Sequence, residues 1–126
     1  GFIGSPTMNF LDAELSDESG TLHARGAGFA IPLSPQKAAG LQNHTDRNVV
    51  LGIRPSSFTE NEAGIEMPVI LAEYIGAQSV LISEMGGQRV AIEVNSVAPV
   101  RTGETRNFTV QGDEVHLFDP QSEAAL

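Results

Sequence analysis

Short apolar runs, each bounded by glycine or proline, organise this sequence. Val, Ile, Leu and Phe cluster between breaks spaced about eight to twelve residues apart, a spacing that predicts an all-β barrel or sandwich. Residues 8–15 alternate apolar and polar in part, through Met8, Phe10, Leu11, Ala13 and Leu15. That reads as a strand with a slip or bulge near Leu11. Asp17-Glu18-Ser19-Gly20 is a turn, and residues 21–24 form a short strand broken by Gly26-Ala27-Gly28. Phe29-Ala30-Ile31 is another strand, ended by Pro32. Ser34 then Pro35 supplies a helix cap and a proline at the first helical position, so a turn or two of helix follows, closed by Gly40.

The second half repeats the β pattern. Residues 48–53 (Asn-Val-Val-Leu-Gly-Ile) form a compact buried strand, and Pro55-Ser56-Ser57 opens a turn. Residues 65–75 read as one long strand interrupted at Pro68. Gly76-Ala77-Gln78 connects it to residues 79–85. Gly86-Gly87 is a two-residue hairpin turn, and residues 88–94 return beside it. Residues 97–103 are a loop. Residues 105–110 and 114–118 are expected to form a last hairpin around Gln111-Gly112-Asp113. This makes about nine strands. The five from residues 65 to 118, together with residues 48–53, are expected to close a small barrel of the oligonucleotide/oligosaccharide-binding (OB) type, covered by the early strands. The polar residues 120–126 are expected to be a frayed or weakly helical tail.

Composition narrows the function. At 126 residues the chain fits one domain, 1–126, with one core. Seven basic against sixteen acidic residues give a formal charge of −9. Such a surface repels phosphate backbones, which argues against nucleic acid as a partner. With no cysteine there is neither a disulfide nor a thiolate metal site. No apolar run is long enough to span a membrane, and no secretory pattern stands at the start. Because the chain opens at Gly1 within an apparent motif, an excised piece of a longer protein is expected.

Catalytic patterns are missing where chemistry would need them. The lone lysine, Lys37, has no glycine-rich phosphate cradle before it. Met85-Gly86-Gly87-Gln88 superficially resembles an ABC signature sequence, but alternating β-branched flanks make it a hairpin. His23, His44 and His116 lack metal-site spacing. Asp12, Glu14, Asp17 and Glu18 read as a solvated hairpin, without an EF-hand pattern.

Two segments offer interaction chemistry instead. In Leu51-Gly52-Ile53-Arg54-Pro55, apolar residues anchor a strand and Arg54 emerges at its end before a proline-fixed turn. Arg54 has three open roles: an internal ion pair with Glu73, Glu93 or Asp119, a contact with a partner subunit or regulator, or a bound anion. In His116-Leu117-Phe118-Asp119, Leu117 and Phe118 cannot both face inward on a regular strand. One of them therefore projects outward, unless both pack under the tail.

These segments carry a resemblance. Phe2-Ile3-Gly4-Ser5-Pro6-Thr7-Met8-Asn9-Phe10-Leu11, Gly52-Ile53-Arg54-Pro55, the glutamate–glycine spacing of residues 73–81 and His116-Leu117-Phe118-Asp119 occur in one order. The combination resembles the C-terminal regulatory (TOBE/OB-type) domain of ATP-binding subunits of sugar-import ABC transporters, the maltose and glycerol-phosphate importer type. Ser56 departs from the family's usual glutamate, and Gln121-Ser122-Glu123 from its usual Thr-Gly. The resemblance implies a non-catalytic regulatory and dimerisation domain. No cofactor is expected in this chain, since ATP and magnesium belong to the ATPase domain that would precede it. The implied partners are a second copy, permease subunits reached through the ATPase domain and, in some members, a regulatory protein. The implied location is cytoplasmic, peripheral to the inner face of the membrane. Arg54, Glu73, His116, Phe118 and Asp119 are the candidate interface or regulatory residues. The alternative is a module binding a small oxyanion or sugar phosphate.

Overall fold

A computed structural model describes residues 7–75, 78–95 and 100–126. Ten strands are present among them: β1 (Asn9–Glu18), β2 (Thr21–Gly26), β3 (Phe29–Pro32), β4 (Asn48–Ile53), β5 (Phe58–Pro68), β6 (Leu71–Ile75), β7 (Gln78–Met85), β8 (Gln88–Val94), β9 (Thr105–Val110) and β10 (His116–Phe118). One short helix, α1 (Pro35–Ala39), follows β3. Its cap is as expected: the Ser34 hydroxyl accepts a hydrogen bond from the Lys37 backbone N–H at 3.2 Å.

The strands form an antiparallel five-stranded sheet in the order β10-β4-β1-β2-β3, a pair β5-β9 and a three-stranded sheet β6-β7-β8. All pack around one core. Leu11, Ala13, Leu15, Val49, Leu51 and Ile53 enter it from the first sheet, Leu81, Val90 and Ile92 from the third. Phe58 and Phe108 meet edge to face within it, centroids 6.3 Å apart.

β1 joins the sheets because it changes neighbours along its length. Its second half pairs with β2 from Glu14 to Glu18. In its first half Asn9 reaches β8: Nδ2 donates to the Ala91 carbonyl at 2.9 Å and Oδ1 accepts from the Ala91 N–H at 2.8 Å. The same Nδ2 donates to the Ile53 carbonyl at 3.1 Å. A buried amide thus supplies the ladder bonds a strand would otherwise make. It also removes the expected slip at Leu11. Asn9 takes the inward position ahead of Leu11, Ala13 and Leu15, so β1 alternates regularly and Phe10 points outward.

Three further expectations are corrected. First, β4 pairs with β1 and β10, in one sheet with β2 and β3, and of the later strands only β10 joins it. Second, β9 and β10 do not form a hairpin. β9 pairs with β5 and β10 pairs with β4. The turn between them, closed by Glu114 N–H to the Gln111 carbonyl at 3.0 Å, carries the chain from one sheet to the other, with Val115 fully buried as it crosses. Third, the strand expected over 65–75 is two strands, broken at Val69 and Ile70, and the first begins at Phe58. Residues 59–63 are exposed and polar or small, and a register irregularity lies between Glu60 and Ile65, so no alternation marks this stretch.

The residues expected as a loose tail are tied down instead. The Asp119 carboxylate accepts from the backbone N–H groups of Gln121 and Ser122, at 2.8 and 2.9 Å. Asp119 N–H donates to the Ala124 carbonyl and Leu126 N–H to the Leu117 carbonyl, each at 2.9 Å. Phe118 and Ala125 form an antiparallel bridge, which covers the outer edge of β10. An aspartate placed to cap its own turn gives this segment backbone partners that its polarity conceals.

Candidate functional site

The outer face of β10-β4-β1 brings the sequence motifs together. Strand pairing sets Phe10 of β1 and His116 of β10 on either side of Gly52, and Asp12 and Phe118 on either side of Val50. Leu117 is buried, so Phe118 is the member of that pair that faces outward. It meets Phe10 edge to face, ring centroids 5.8 Å apart and planes at 66°. Phe10 is 56% exposed, unusual for a phenylalanine on a sheet with so apolar an interior. Phe10, Val50, Phe118, Asp119, Pro120 and Glu123 line an apolar groove of about 370 Å³.

Gly52 is what permits this packing. A Cβ there would lie 2.5 Å from Met8 Sδ, 2.9 Å from the Phe118 ring and 3.5 Å from His116 Cβ. The glycine of one motif therefore accommodates side chains from two others.

Arg54 follows β4 in extended backbone, with φ −71° and ψ 145°, two residues beyond Gly52. It is exposed. Among the described residues it makes no ion pair, so the internal pairing weighed for it is not formed. Each suggested partner is engaged or located elsewhere. Glu73 is exposed on β6 in another sheet and does not join this face. Glu93 is half-buried on β8, beside Ser56 and Phe58. Asp119 lies 4.0 Å from His44 Nδ1.

The electrostatics divide the face. His116 is half-buried, and burial pushes its pKa down, helped by the positive charges of Lys37 and Arg54. The Asp119 carboxyl is held below the usual range, first by the Ser122 and Gln121 N–H groups and further by His44. Arg54, His116, Phe118 and Asp119 thus share one surface, and Glu73 is separate. Sequence reasoning missed Phe10, Val50 and Gly52 as parts of the surface and Asn9 as a structural staple. The signal was present for Asn9, a polar residue continuing the inward alternation, and for Phe10, which falls out of phase with it.

Residues 4–58 match the family described as the MalK OB fold domain. Over those residues the chain is similar to that family. The MalK-type match spans β1 to β4, most of the sheet that bears the candidate face. Among relatives, an uncharacterized ABC transporter ATP-binding protein, y4oS, of Sinorhizobium fredii is 35% identical over 127 residues, covering all of this chain and 33% of that protein. The sn-glycerol-3-phosphate import ATP-binding protein UgpC of Burkholderia lata is 32% identical over 124 residues, 97% of this chain and 34% of that protein. The multiple sugar-binding transport ATP-binding protein MsmK of Streptococcus mutans is 28% identical over 135 residues, 100% and 35%. The chain spans about a third of the length of these relatives. A solved structure of the cytoplasmic molybdate-binding protein ModG superposes with a TM-score of 0.67 at 15% identity, covering 94% of this chain and 100% of that one. At that identity the likeness is one of fold, in keeping with an all-β MalK-type OB domain. No helix among the described residues is long and apolar enough to cross a membrane.

Proposed function

We propose that this MalK-type OB domain is the regulatory and dimerisation part of the ATP-binding subunit of a carbohydrate or sugar-phosphate importer. It stands C-terminal to the ATPase domain and holds two copies of the subunit together while their nucleotide sites open and close. The observation that carries this reading is the meeting of three separate motifs on one exposed, partly aromatic face. A face so specified, bearing an exposed phenylalanine and no reactive constellation, suits recognition of a neighbour. ATP and magnesium belong to the ATPase domain, which also engages the permease subunits at the inner face of the membrane. A regulatory protein docking on this domain is a further role of the same kind.

Light scattering and an ATPase assay test the reading together. The chain is expected to associate at least weakly into dimers and to show neither ATP binding nor hydrolysis. A strict monomer at high concentration, or hydrolysis by rigorously purified protein, contradicts it.

The alternative, a small-oxyanion or sugar-phosphate module, draws on Arg54 and on the fold shared with the molybdate-binding protein ModG. The −9 charge opposes it. Calorimetry with sulfate, molybdate and glycerol phosphate separates the two, with no heat of binding expected.

A further inference from the structure

The three-stranded sheet β6-β7-β8 is tied to the rest of the molecule by side chains. Among the described residues, no backbone-to-backbone hydrogen bond joins it to the other two sheets. The bonds that do cross each need a side chain. Asn9 holds both backbone groups of Ala91. Gln88 Oε1 accepts from the Asp12 N–H at 3.3 Å, and the Tyr74 hydroxyl donates to the Val100 carbonyl at 3.4 Å. Inside the sheet the ladders are continuous, Leu71 to Ile75 against β7 and Ser79 to Met85 against β8. The tip of its hairpin rests on β3, where a Cβ on Gly86 would lie 2.9 Å from the Phe29 ring.

Between β5 and β6 the chain passes from one part to the other at a single peptide link. The Val69 N–H donates to the Glu104 carbonyl, and the Val69 carbonyl accepts from the Gly103 N–H, each at 2.8 Å. Val69 is thus held at the approach to β9. The Ile70 N–H donates instead to the Ile82 carbonyl of β7, also at 2.8 Å. Residues where one element ends and another begins are where hinges form.

The inward row of β7 favours separation. It reads Ser79, Leu81, Ser83 and Met85, so half of it is serine. Ser83 is 1% exposed, and among the described residues its hydroxyl has no hydrogen-bond partner. Lifting the sheet lets water satisfy that hydroxyl, which offsets part of the cost of exposing Leu81 and Met85.

We propose that β6-β7-β8 is a lobe that opens from the body about the Val69–Ile70 link with its own ladders intact, and that Asn9 is its latch. Such a unit opens at a lower free energy than the whole fold. The latch also reaches the candidate face. Asn9 joins Ala91 of the lobe to the Ile53 carbonyl, one residue before Arg54. Its neighbours on β1 are Met8, which packs over Gly52, and Phe10, which meets Phe118. Opening the lobe therefore loosens the start of β1, and a partner seated on Phe10 and Phe118 holds the lobe closed. The coupling is reciprocal, as linkage requires. It operates whether or not the domain pairs with a second copy.

Thiol labelling of single-cysteine variants tests this, since the chain has no cysteine of its own. Ser83→Cys, nearly isosteric, puts a thiol inside the lobe, and Val49→Cys puts one equally deep in β4 of the body. Circular dichroism confirms that each variant folds. With dithionitrobenzoate in native buffer, the thiol at position 83 is expected to react about tenfold faster than that at position 49, or more. Low urea should change the rate at 83 little and raise the rate at 49, which follows global unfolding. Adding Asn9→Ala is expected to speed labelling at 83 about tenfold. Adding Gly52→Ala, which presses on Met8 and Phe118, is expected to speed labelling at 83 as well as at 49. Equal rates at the two positions, with equal dependence on urea, overturn the lobe. A rate at 83 indifferent to Asn9→Ala overturns the latch. Acceleration by Gly52→Ala at 49 alone overturns the coupling to the face.

Discussion

Phe10 and Phe118 lie near opposite ends of the sequence, and their rings meet edge to face 5.8 Å apart on the outside of the sheet. β4 runs between their strands and keeps the space open with Gly52. The contact joins three motifs that sequence alone presents as separate, and it leaves one ring largely in solvent.

Gly52 sets the geometry of that contact, so adding a side chain there displaces it. Gly52→Ala meets the flexible end of Met8 and the edge of the Phe118 ring, and Gly52→Val meets more of both. Overpacking of this kind costs ~1–3 kcal/mol, with valine at the upper end. Urea denaturation is expected to show a lower midpoint with an unchanged m-value.

Asn9 closes the body, and its removal should weaken the seam between β1 and β8. Asn9→Ala leaves the Ala91 N–H and carbonyl and the Ile53 carbonyl without their side-chain partner. The expected loss is about 2 kcal/mol, typical of stranded buried polar groups. Hydrogen exchange should report it locally, with the Ala91 amide losing protection before amides in the β7–β8 hairpin away from the seam.

Acidification should destabilise the domain in two steps. His116 has a depressed pKa when folded, so the unfolded chain binds its proton more readily. Stability is then full above the ordinary imidazole value of about 6.5 and declines as pH falls below it. Asp119 is also depressed, so its contribution is present above the ordinary carboxylate value of about 3.9 and is lost as pH falls further, through its folded pKa. Urea midpoints measured against pH are expected to show both declines. His116→Gln should remove the first and Asp119→Asn should reduce the second.

Much of the strand content was legible because apolar alternation and glycine breaks are local. The Gly86-Gly87 turn, with φ of 62° and 77°, was readable on those grounds, as was the outward projection of one of Leu117 and Phe118, which the structure shows to be Phe118. Pairing was not. Nothing local tells β10 to leave β9 and join β4, since that choice rests on burying Val115 and Leu117. β5 was half hidden because its residues 59–63 face solvent and show no period. The site was legible as motifs but not as a surface. Arg54 and Phe118 stood out by their chemistry, whereas Phe10, Val50 and Gly52 acquire meaning only through the register that aligns β1, β4 and β10.

The most direct measurement exploits the absence of cysteine. A single cysteine on the outer face of β10-β4-β1, introduced as Asp12→Cys so that both aromatic rings stay in place, is expected to be joined to its copy by a short bis-maleimide cross-linker, because the proposed pairing sets this face against a second copy. Thr59→Cys, exposed on β5 and away from this face, is expected to remain uncross-linked under the same conditions. Cross-linking at position 12 alone is the predicted result. No cross-link at position 12, or equal yields at both positions, would contradict a pairing surface centred on Phe10 and Phe118.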